Sequence, residues 1–278
     1  IADQTHVYAS FSHGFRSGAY NTSAQSDPGL DIPIKSEDIY AYEVGLKMAG
    51  PRFRLETAAF YYDYKDLNVS MQVNNPLCRP GEVCAPTNIV GNAPKAEIYG
   101  IDANVIVQPA DRFNVSIGGA WLHARYGRFP NALGTGLDAA TMLNVNNQVQ
   151  DWTDIQMSRA PDFSAQVAMD YSLPLFDGEL RLAANAKYSD SYVIQNPSLY
   201  GPLAPPELRD KQRYRQKATF ILNANITWYA PDDRYSIGIY GRNLTDESYL
   251  AFYQGAASGD YFQPAQPISY GVQLEYRF

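Results

Sequence analysis

The chain has 278 residues, of which 45% are hydrophobic and only 18% are charged, against about 25% charged in an average soluble protein. Tyrosine alone takes 22 positions, which excludes a disordered chain and is not typical of a helical enzyme rich in Ala, Glu, Lys and Leu. The net charge of -7 argues against a nucleic-acid partner, and no stretch approaches the roughly 18 consecutive apolar residues of a membrane-spanning helix.

Strict two-residue alternation of apolar and polar side chains is the dominant pattern. In the last such segment Tyr270, Val272 and Leu274 share one face, and Gln273 and Glu275 share the other. This period predicts β-strands with one apolar and one polar face. Ten segments follow it: 4–14, 37–49, 52–67, 95–108, 112–126, 162–174, 179–193, 216–229, 234–249 and 268–278.

The connections alternate between short and long. Short turns rich in Pro, Gly and Asp fall at 49–52, 108–112, 175–179 and 230–234. Long polar and aromatic loops fill 15–36, 68–94, 127–161, 194–215 and 250–267. This alternation predicts an all-β, antiparallel up-and-down sheet with a plain end and an elaborate end.

Aromatic residues near the strand ends separate two interpretations of such a sheet. Tyr42, Tyr61, Trp121, Trp228 and Tyr276 occupy positions typical of the interfacial girdles of a transmembrane β-barrel. A soluble all-β sandwich is the alternative, but it would not sort every long loop to one end. The sequence favours a barrel with short periplasmic turns, long extracellular loops and a polar lumen.

Four motifs resemble the barrel of TonB-dependent outer-membrane receptors. In 7–21 a strand ending in Gly-Phe leads into a Gly-rich loop, and 37–47 resembles the strand that follows it. Segment 241–249 is similar to the Asn-Leu-Asp-Tyr signature of their penultimate strand, and 276–278 to the aromatic C-terminus of such barrels. The resemblance runs along nearly the whole chain in the family's order.

The resemblance implies a 22-stranded barrel plugged by an N-terminal domain, which imports scarce nutrients with energy relayed by the inner-membrane TonB complex. This sequence departs from that pattern because it has about ten strands, no plug and no TonB-contacting segment. We therefore expect residues 1–278 to be one unit, the C-terminal portion of the barrel. The missing N-terminal half should pair with both edges, which would otherwise expose unpaired strands.

The two cysteines, Cys78 and Cys84, lie in a Pro- and Gly-rich stretch. Two thiols without nearby His or Cys make a poor metal site, so a disulfide closing a small loop is predicted, with free thiols as the alternative. His13 and His123 fall near the loop ends of strands. This position suggests a metal or haem site, or the active site of an omptin-like rim protease, as possible functions. No Asp–His pairing is evident in the sequence, and solvated rim histidines are the plainer interpretation.

Candidate substrate contacts lie in and beside the long loops. The resemblance makes Arg16, Tyr20 and Asn21 candidates for contact with substrate or plug. Aromatic side chains there can stack on a ligand or merely pack the loops together; they are Trp152, Tyr192, Tyr200, Tyr253, Tyr261 and Phe262. Within 207–215, cations at 209, 211, 213 and 215 would share one side of an extended chain. Arg213 and Arg215 are the candidates there, in a cradle for an anionic ligand or in contact with lipopolysaccharide.

The sequence thus predicts an outer-membrane active-transport receptor of a Gram-negative bacterium, which is not an enzyme and needs no metal or cofactor. Its expected partners are the missing barrel half and plug, the TonB complex, outer-membrane lipid and lipopolysaccharide, and a small-molecule substrate such as a siderophore. A small closed ten-stranded barrel, acting as a passive pore or a rim protease, is the alternative function.

Overall fold

A computed structural model of the chain describes residues 4–21, 33–73, 79, 87–195, 198–231, 234–256 and 259–278. Those residues form eighteen strands, and they contain no helix that could cross a membrane. The strands, in chain order, are β1 Gln4–Arg16, β2 Ala19–Tyr20, β3 Pro33–Ile34, β4 Glu37–Gly50, β5 Phe53–Val73, β6 Thr87–Ala110, β7 Phe113–Tyr126, β8 Ala132–Leu137, β9 Asn144–Gln150, β10 Phe163–Leu175, β11 Gly178–Ser189, β12 Tyr192–Val193, β13 Arg215–Gln216, β14 Thr219–Tyr229, β15 Tyr235–Arg242, β16 Leu250–Ala256, β17 Gly259–Pro264 and β18 Ser269–Tyr276.

Ten of these strands form one antiparallel sheet in the order β1-β4-β5-β6-β7-β10-β11-β14-β15-β18. Each strand pairs with its neighbours in chain order, as an up-and-down meander requires. β1 and β18 are the two edges, and no ladder joins them within the described ranges. The ten strands therefore make an open sheet, which does not fit the alternative of a small closed barrel.

All ten predicted segments correspond to strands of this sheet, but several boundaries were wrong. The segment predicted at 234–249 ends as a strand at Arg242, because Asn243 and Asp246 both take positive φ (50°) in a turn. The segment predicted at 179–193 divides after Ser189, since Tyr192 and Val193 pair with β13 instead. The segment predicted at 216–229 begins at Thr219 for the same reason.

The hairpin of β5 and β6 is much longer than predicted. The ladder continues to the pair Val73–Thr87, so most of the predicted loop 68–94 is strand. Val69, Met71 and Ile89 in this extension are buried in an apolar cluster with residues of the next long loop. Packing above the sheet therefore prolongs these two strands.

The register of the sheet places apolar side chains on one face. Val44 lies opposite Ala59, which lies opposite Ile101, and the series continues through Trp121 and Phe163 on the neighbouring strands. Many of these side chains are exposed although they are large and apolar, among them Val44, Ile101, Ile117, Ile226 and Ile239. An exposed apolar face of this extent is what lipid contact requires.

Two rows of aromatic rings border that face. The upper row is continuous over five strands, with neighbouring ring centroids 5.1 to 6.4 Å apart, through Phe11, Tyr42, Tyr61, Tyr99 and Trp121. Four strands carry an aromatic pair eight residues apart, at 53/61, 113/121, 163/171 and 220/228. Eight residues span about 27 Å of strand. With a tilt of about 40° this gives a band roughly 20 Å high, close to the ~25 Å apolar band of outer-membrane barrels.

The opposite face is polar and hydrogen-bonded between strands. Tyr8 donates to Glu43 across β1 and β4 (2.7 Å), and Asn223 donates to Asn185 across β14 and β11 (2.8 Å). Arg54 donates to Glu56 two residues along β5 (2.9 Å). Cross-strand partners of this kind agree with a wet lumen.

The short connections lie at one end of the sheet and the long ones at the other. Phe176 and Asp177, both with positive φ, form a two-residue turn between β10 and β11, as tight hairpins require. The sequence did not predict the four two-stranded sheets that lie within the long connections, β2–β3, β8–β9, β12–β13 and β16–β17. These small sheets build the structure above the main sheet.

Candidate functional site

Three long connections meet above β7, β10, β11, β14 and β15. We call the hairpins β8–β9 and β16–β17, with the segment 198–216, the loop cluster. They are drawn together by contacts between residues far apart in the chain, such as the donation from Gln150 to the Leu199 carbonyl (3.0 Å). The loop cluster therefore has a defined conformation of its own.

Arg213 lies at the centre of the loop cluster, where only 2% of its side chain is exposed. Its Nη1 donates to the carbonyls of Thr135 (3.0 Å) and Gly136 (2.9 Å) in the β8–β9 hairpin. Its Nη2 donates to Asn144 (2.7 Å) and forms an ion pair with Asp260 of the β16–β17 hairpin (3.1 Å). One guanidinium thus fixes both hairpins to the segment that carries it.

Two tyrosines pack beside the ion pair of Arg213 and Asp260. Tyr214 and Tyr253 pack with ring centroids 5.0 Å apart, and Tyr253 donates its hydroxyl to Asp260 (3.0 Å). Burial, followed by the negative charge of Asp260, raises the pKa of Tyr253 to about 12, and burial raises the pKa of Tyr214 well above its usual value. Both rings therefore stay uncharged at neutral pH.

Trp152 anchors the adjacent apolar cluster and is fully buried. It packs against Tyr126 and Phe129, with centroids 5.9 and 5.7 Å away, and its indole N–H donates to Gln150 (3.0 Å). Because the Trp152 ring has no exposed surface, a solute cannot contact it. Of the two interpretations made for Trp152, the structure supports packing.

A cavity of about 580 Å³ lies beneath the loop cluster, against the polar face of β10, β11, β14 and β15. We call it the wall cavity. The strands supply Ser164, Asn185, Lys187, Ser189, Thr219, Ile221, Asn223 and Arg242, and the loops supply Arg159, Pro161, Tyr192, Gln216, Asn243, Tyr249, Gln266 and Pro267. Its volume lies within the ~300–1,000 Å³ typical of small-molecule sites.

Asn243 shapes one side of the wall cavity and is only 4% exposed. Its backbone N–H donates to Asn223 (2.9 Å), and its side-chain amide donates to the carbonyls of Glu247 (2.9 Å) and Gln266 (3.3 Å). Its side-chain oxygen accepts the N–H of Glu247 (2.9 Å). The motif of 241–249 therefore marks a turn that ends β15 and folds back beside the cavity.

The charges that line the wall cavity have one sign. Arg159, Lys187 and Arg242 are present, and no Asp or Glu is among the lining residues. Within the described part of the chain these three cations form no ion pair. Amide and hydroxyl groups supply the other polar surface. Chemically, the arrangement can attract a negatively charged or strongly hydrogen-bonding molecule.

The residues of the first long loop lie apart from this cavity. Arg16 and Tyr20 are exposed at the end of β1 and on β2. Asn21 forms two hydrogen bonds with the backbone of Val90, accepting from its N–H (2.7 Å) and donating to its carbonyl (2.9 Å). Asn21 therefore ties this loop to β6, while Arg16 and Tyr20 remain candidates for contact with substrate or plug.

The other predicted aromatic residues divide between the cavity and the loop surface. Tyr192 lines the wall cavity. The ring of Tyr200 packs against the Arg213 guanidinium, whose Cζ is 5.4 Å from the ring centroid. Tyr261 and Phe262 are 59% and 65% exposed on β17. Both rings therefore present much of their surface to solvent.

The four cations at 209–215 do not form one open cradle. Arg213 is buried, and Arg209 donates to the Ala204 carbonyl (2.9 Å). Arg215 is exposed on β13, where it donates to Ser191 (2.9 Å) and to Gln212. The alternation predicted for an extended chain fails because this segment bends through turns, with Asp210 and Tyr214 at positive φ.

The remaining candidates are the two cysteines and two of the histidines. Cys78 and Cys84 lie outside the described residues, so the predicted disulfide stays a prediction. His13 bonds Asp38 (2.9 Å) on the adjacent strand, a pairing that the sequence did not reveal, and His123 stacks on Tyr99 at 4.5 Å. Both histidines lie on the apolar face, near the upper aromatic row. Over the described ranges no group of three His, Cys, Asp or Glu side chains could hold a metal ion.

Sequence reasoning missed the residues that line the wall cavity, apart from Tyr192. Arg159, Lys187 and Arg242 are separated by tens of residues and belong to different elements, so no local motif joins them. The available signal was the polar side of three predicted strands, which carries Lys187, Asn223 and Arg242. Strand pairing alone would have placed these near one another.

Comparison with known proteins gives one family. The family model described as "TonB dependent receptor-like, beta-barrel" matches residues 1–244. No curated protein matches the chain in sequence.

Solved structures share the fold at low sequence identity. The ferric yersiniabactin uptake receptor FyuA of Yersinia pestis is 17% identical, with a TM-score of 0.69 over 100% of this chain and 36% of that one. The siderophore receptor PiuA of Acinetobacter baumannii is 16% identical, with a TM-score of 0.62 over 97% of this chain and 33% of that one. The ferric preacinetobactin receptor BauA of the same organism is 15% identical, with a TM-score of 0.61 over 99% and 34%. The chain spans about a third of the length of these structures.

Proposed function

The chain belongs to the TonB-dependent receptors, and from this premise we propose that it forms part of the barrel wall of an outer-membrane receptor that binds and actively imports a scarce solute. Members of this family are transporters of the Gram-negative outer membrane and are not enzymes. The rim-protease alternative is therefore wrong. The finer parts of the proposal are the binding site, the energy source and the missing partners.

The observation that carries the proposal is the wall cavity on the polar side of a sheet whose other side is apolar. Lipid-facing residues and cavity residues alternate along the same strands, for example Leu222 and Asn223 on β14. A sheet of this kind separates lipid from a wet lumen, and the loop cluster lies above that lumen. Solute arriving from the loop side would meet the exposed Tyr261 and Phe262 and then the cavity.

Energy coupling and the remaining partners follow from the family. We propose that further strands pair with the open edges β1 and β18, that a plug domain fills the lumen, and that the TonB complex acts on that plug. Both edges carry exposed apolar side chains, such as Val7 on β1 and Leu274 on β18. In the proposed mechanism the wall stays rigid, because its backbone groups are paired strand to strand as lipid requires, while the plug moves.

The test is a growth assay on bacteria that carry the full-length receptor. One strain lacks the receptor and a second lacks TonB, and each is grown on limiting iron(III) siderophores, cobalamin or oligosaccharides. We expect both strains to lose growth on the same solute. A solute that requires the receptor but not TonB would support the passive-pore alternative and contradict active uptake.

A further inference from the structure

Charged side chains lie on the apolar side of the sheet, just above the upper aromatic row. β5 and β6 each contribute a tyrosine to that row, and the residues two and four positions further toward the long loops are charged. The register pairs Asp63 with Glu97, and Lys65 with Lys95, directly across the two strands. We call these four residues the charged patch.

Contacts with aromatic rings fix the side and the height of the charged patch. The Tyr61 hydroxyl lies 3.4 Å from the Glu97 carboxylate, and the Lys65 Nζ lies 4.8 Å from the ring centroid of Tyr40. Two residues of a strand tilted by about 40° rise roughly 5 Å along the membrane normal. The carboxylates therefore lie about 5 Å above the aromatic row and the lysines about 10 Å above it, at the height of lipid head groups.

Like charges face each other twice in the charged patch. Such pairs destabilise a sheet when they lie directly opposite. Lys95 offsets the repulsion of the acidic pair, because its Nζ lies 2.6 Å from Glu97 and 4.0 Å from Asp63. The repulsion between Lys95 and Lys65 is left, and an anion bound between the two ammonium groups would relieve it.

Lys65 keeps its charge uncompensated. Within the described residues it forms no ion pair, since Asp38, directly opposite on β4, is bonded to His13 instead (2.9 Å). The ring of Tyr40 holds the ammonium group without neutralising it. β4 and β6, the strands on either side, both belong to this chain, and a plug would face the other side of the sheet. The proposed missing parts therefore do not lie beside this lysine.

The two levels of the charged patch suit two kinds of ligand group. Neighbouring ammonium groups bind a phosphate, and carboxylates accept hydrogen bonds from hydroxyl or amide groups. The patch lies toward the long loops, which are at the extracellular end of an outer-membrane barrel. The outer leaflet there is built from phosphorylated glucosamine lipids, whose head groups carry phosphates, hydroxyls and amides together.

We propose that the charged patch binds the phosphorylated sugar head group of an outer-leaflet glycolipid. Lys65 and Lys95 bind a phosphate, while Asp63 and Glu97 hold Lys95 in place and accept hydrogen bonds from the sugar. The inference rests on the part of the proposed function that places the apolar face in lipid, and it is independent of the imported solute. Because these charges are exposed to solvent, binding should weaken with added salt.

The test measures lipid retained by the full-length receptor in non-ionic detergent, using native mass spectrometry. Lipid A with two phosphates is compared with the same lipid after removal of both phosphates, and with phosphatidylglycerol. We expect the bisphosphorylated lipid A to bind at least about tenfold more tightly than either of the others, because only it offers a phosphate and sugar donors together.

Matched variants separate the charged patch from the overall charge of the protein. Lys65→Gln with Lys95→Gln should weaken binding of bisphosphorylated lipid A about 30-fold, from about fivefold for each lysine near a charged lipid surface. Lys65→Arg with Lys95→Arg keeps both charges and should retain binding. Arg52→Gln with Arg112→Gln removes the same charge at the short-turn end and should leave binding unchanged.

Three results would overturn the inference. Equal retention of lipid A with and without phosphates would exclude recognition of phosphate, and equal retention of phosphatidylglycerol would exclude recognition of the sugar. An equal loss in the Arg52 and Arg112 variant would assign binding to overall charge. The comparison of lipids on the unaltered receptor decides the question even if the glutamine variant fails to fold.

Failure of this inference is distinguishable from failure of the proposed function. TonB-dependent growth can persist when the charged patch binds no lipid, and the receptor would then remain an importer. Conversely, binding of bisphosphorylated lipid A without TonB-dependent growth would retain the lipid site and remove active uptake.

Discussion

Replacing Arg213 should release the loop cluster without unfolding the sheet. Arg213→Met keeps an apolar stem of similar length and removes every hydrogen bond of the guanidinium. The variant loses the bonds to Thr135, Gly136 and Asn144 and the ion pair with Asp260. The sheet strands make no contact of this kind with Arg213, so we expect their ladders to persist.

The magnitude follows from the burial of the two partners. Removing one member of a buried ion pair costs about 3–5 kcal/mol, because the remaining charge is left uncompensated. The side chain of Asp260 is 26% exposed, so water solvates it in part and the lower end of that range, about 3 kcal/mol, applies. Opening of the loop cluster should then be on the order of 100-fold more frequent.

Hydrogen exchange measured by mass spectrometry on the full-length protein checks this expectation. Amides of β8, β9, β16 and β17 should exchange faster in Arg213→Met, and amides of β7 and β10 should not change. Arg209→Met is the matched control, since among the described residues the side chain of Arg209 donates only to the Ala204 carbonyl in the same segment. Adding Asp260→Asn to Arg213→Met should restore part of the protection. Equal exchange in the two arginine variants would refute the central role of Arg213.

Three further changes test other parts of the structure. Asn243→Ala removes three buried side-chain hydrogen bonds of the turn after β15. At about 1 kcal/mol each, their loss should increase protease cleavage within 243–249 on the order of 100-fold, whereas unchanged cleavage would contradict the role of this turn. Trp152→Ala should destabilise the apolar cluster by about 3–5 kcal/mol, seen as faster exchange at Val69, Met71 and Ile89 in β5 and β6. No change at these amides would mean that the cluster does not stabilise this part of the two strands. Raising the pH from 10 to 12 should detach the β16–β17 hairpin from the rest of the loop cluster. The reason is that the pKa of Tyr253 is 10.0 when the hairpin is detached and about 12 when it is packed, so deprotonation favours the detached hairpin. Tyrosinate absorbance of Tyr253→Phe against the parent measures that step, and contact that persists unchanged above pH 12 would contradict it.

The sheet was predictable because its determinants are local. A period of two over eight or more residues fixes a strand and its two faces, and turns such as 175–179 end it with Gly and Asp. The eight-residue spacing of aromatic residues, as at Phe113 and Trp121, sets the height of the apolar band in the same local way. Errors arose where a polar residue carries strand-like neighbours yet forms a turn, as Asn243 does.

The loop cluster and the wall cavity were not predictable in the same way. Arg213 resembles its neighbours in a basic run, and only a partner 47 residues away, Asp260, distinguishes it. Trp152 was a candidate for ligand contact because its burial depends on β5 and β6, which are distant in sequence. The cavity cations likewise meet only through strand pairing and loop return. Local sequence patterns determine where the strands lie, whereas contacts between the long loops determine which residues line the cavity.

The most direct test of the central claim, that this chain is a barrel wall between lipid and a wet lumen, is cysteine labelling along β14. In a background with Cys78→Ser and Cys84→Ser, single cysteines replace Leu222, Ala224 and Ile226 on the apolar face and Asn223, Asn225 and Thr227 on the polar face. In native outer membranes we expect a water-soluble maleimide to label the polar series and a lipid-soluble reagent to label the apolar series. Equal labelling of both series by the water-soluble reagent would contradict the account.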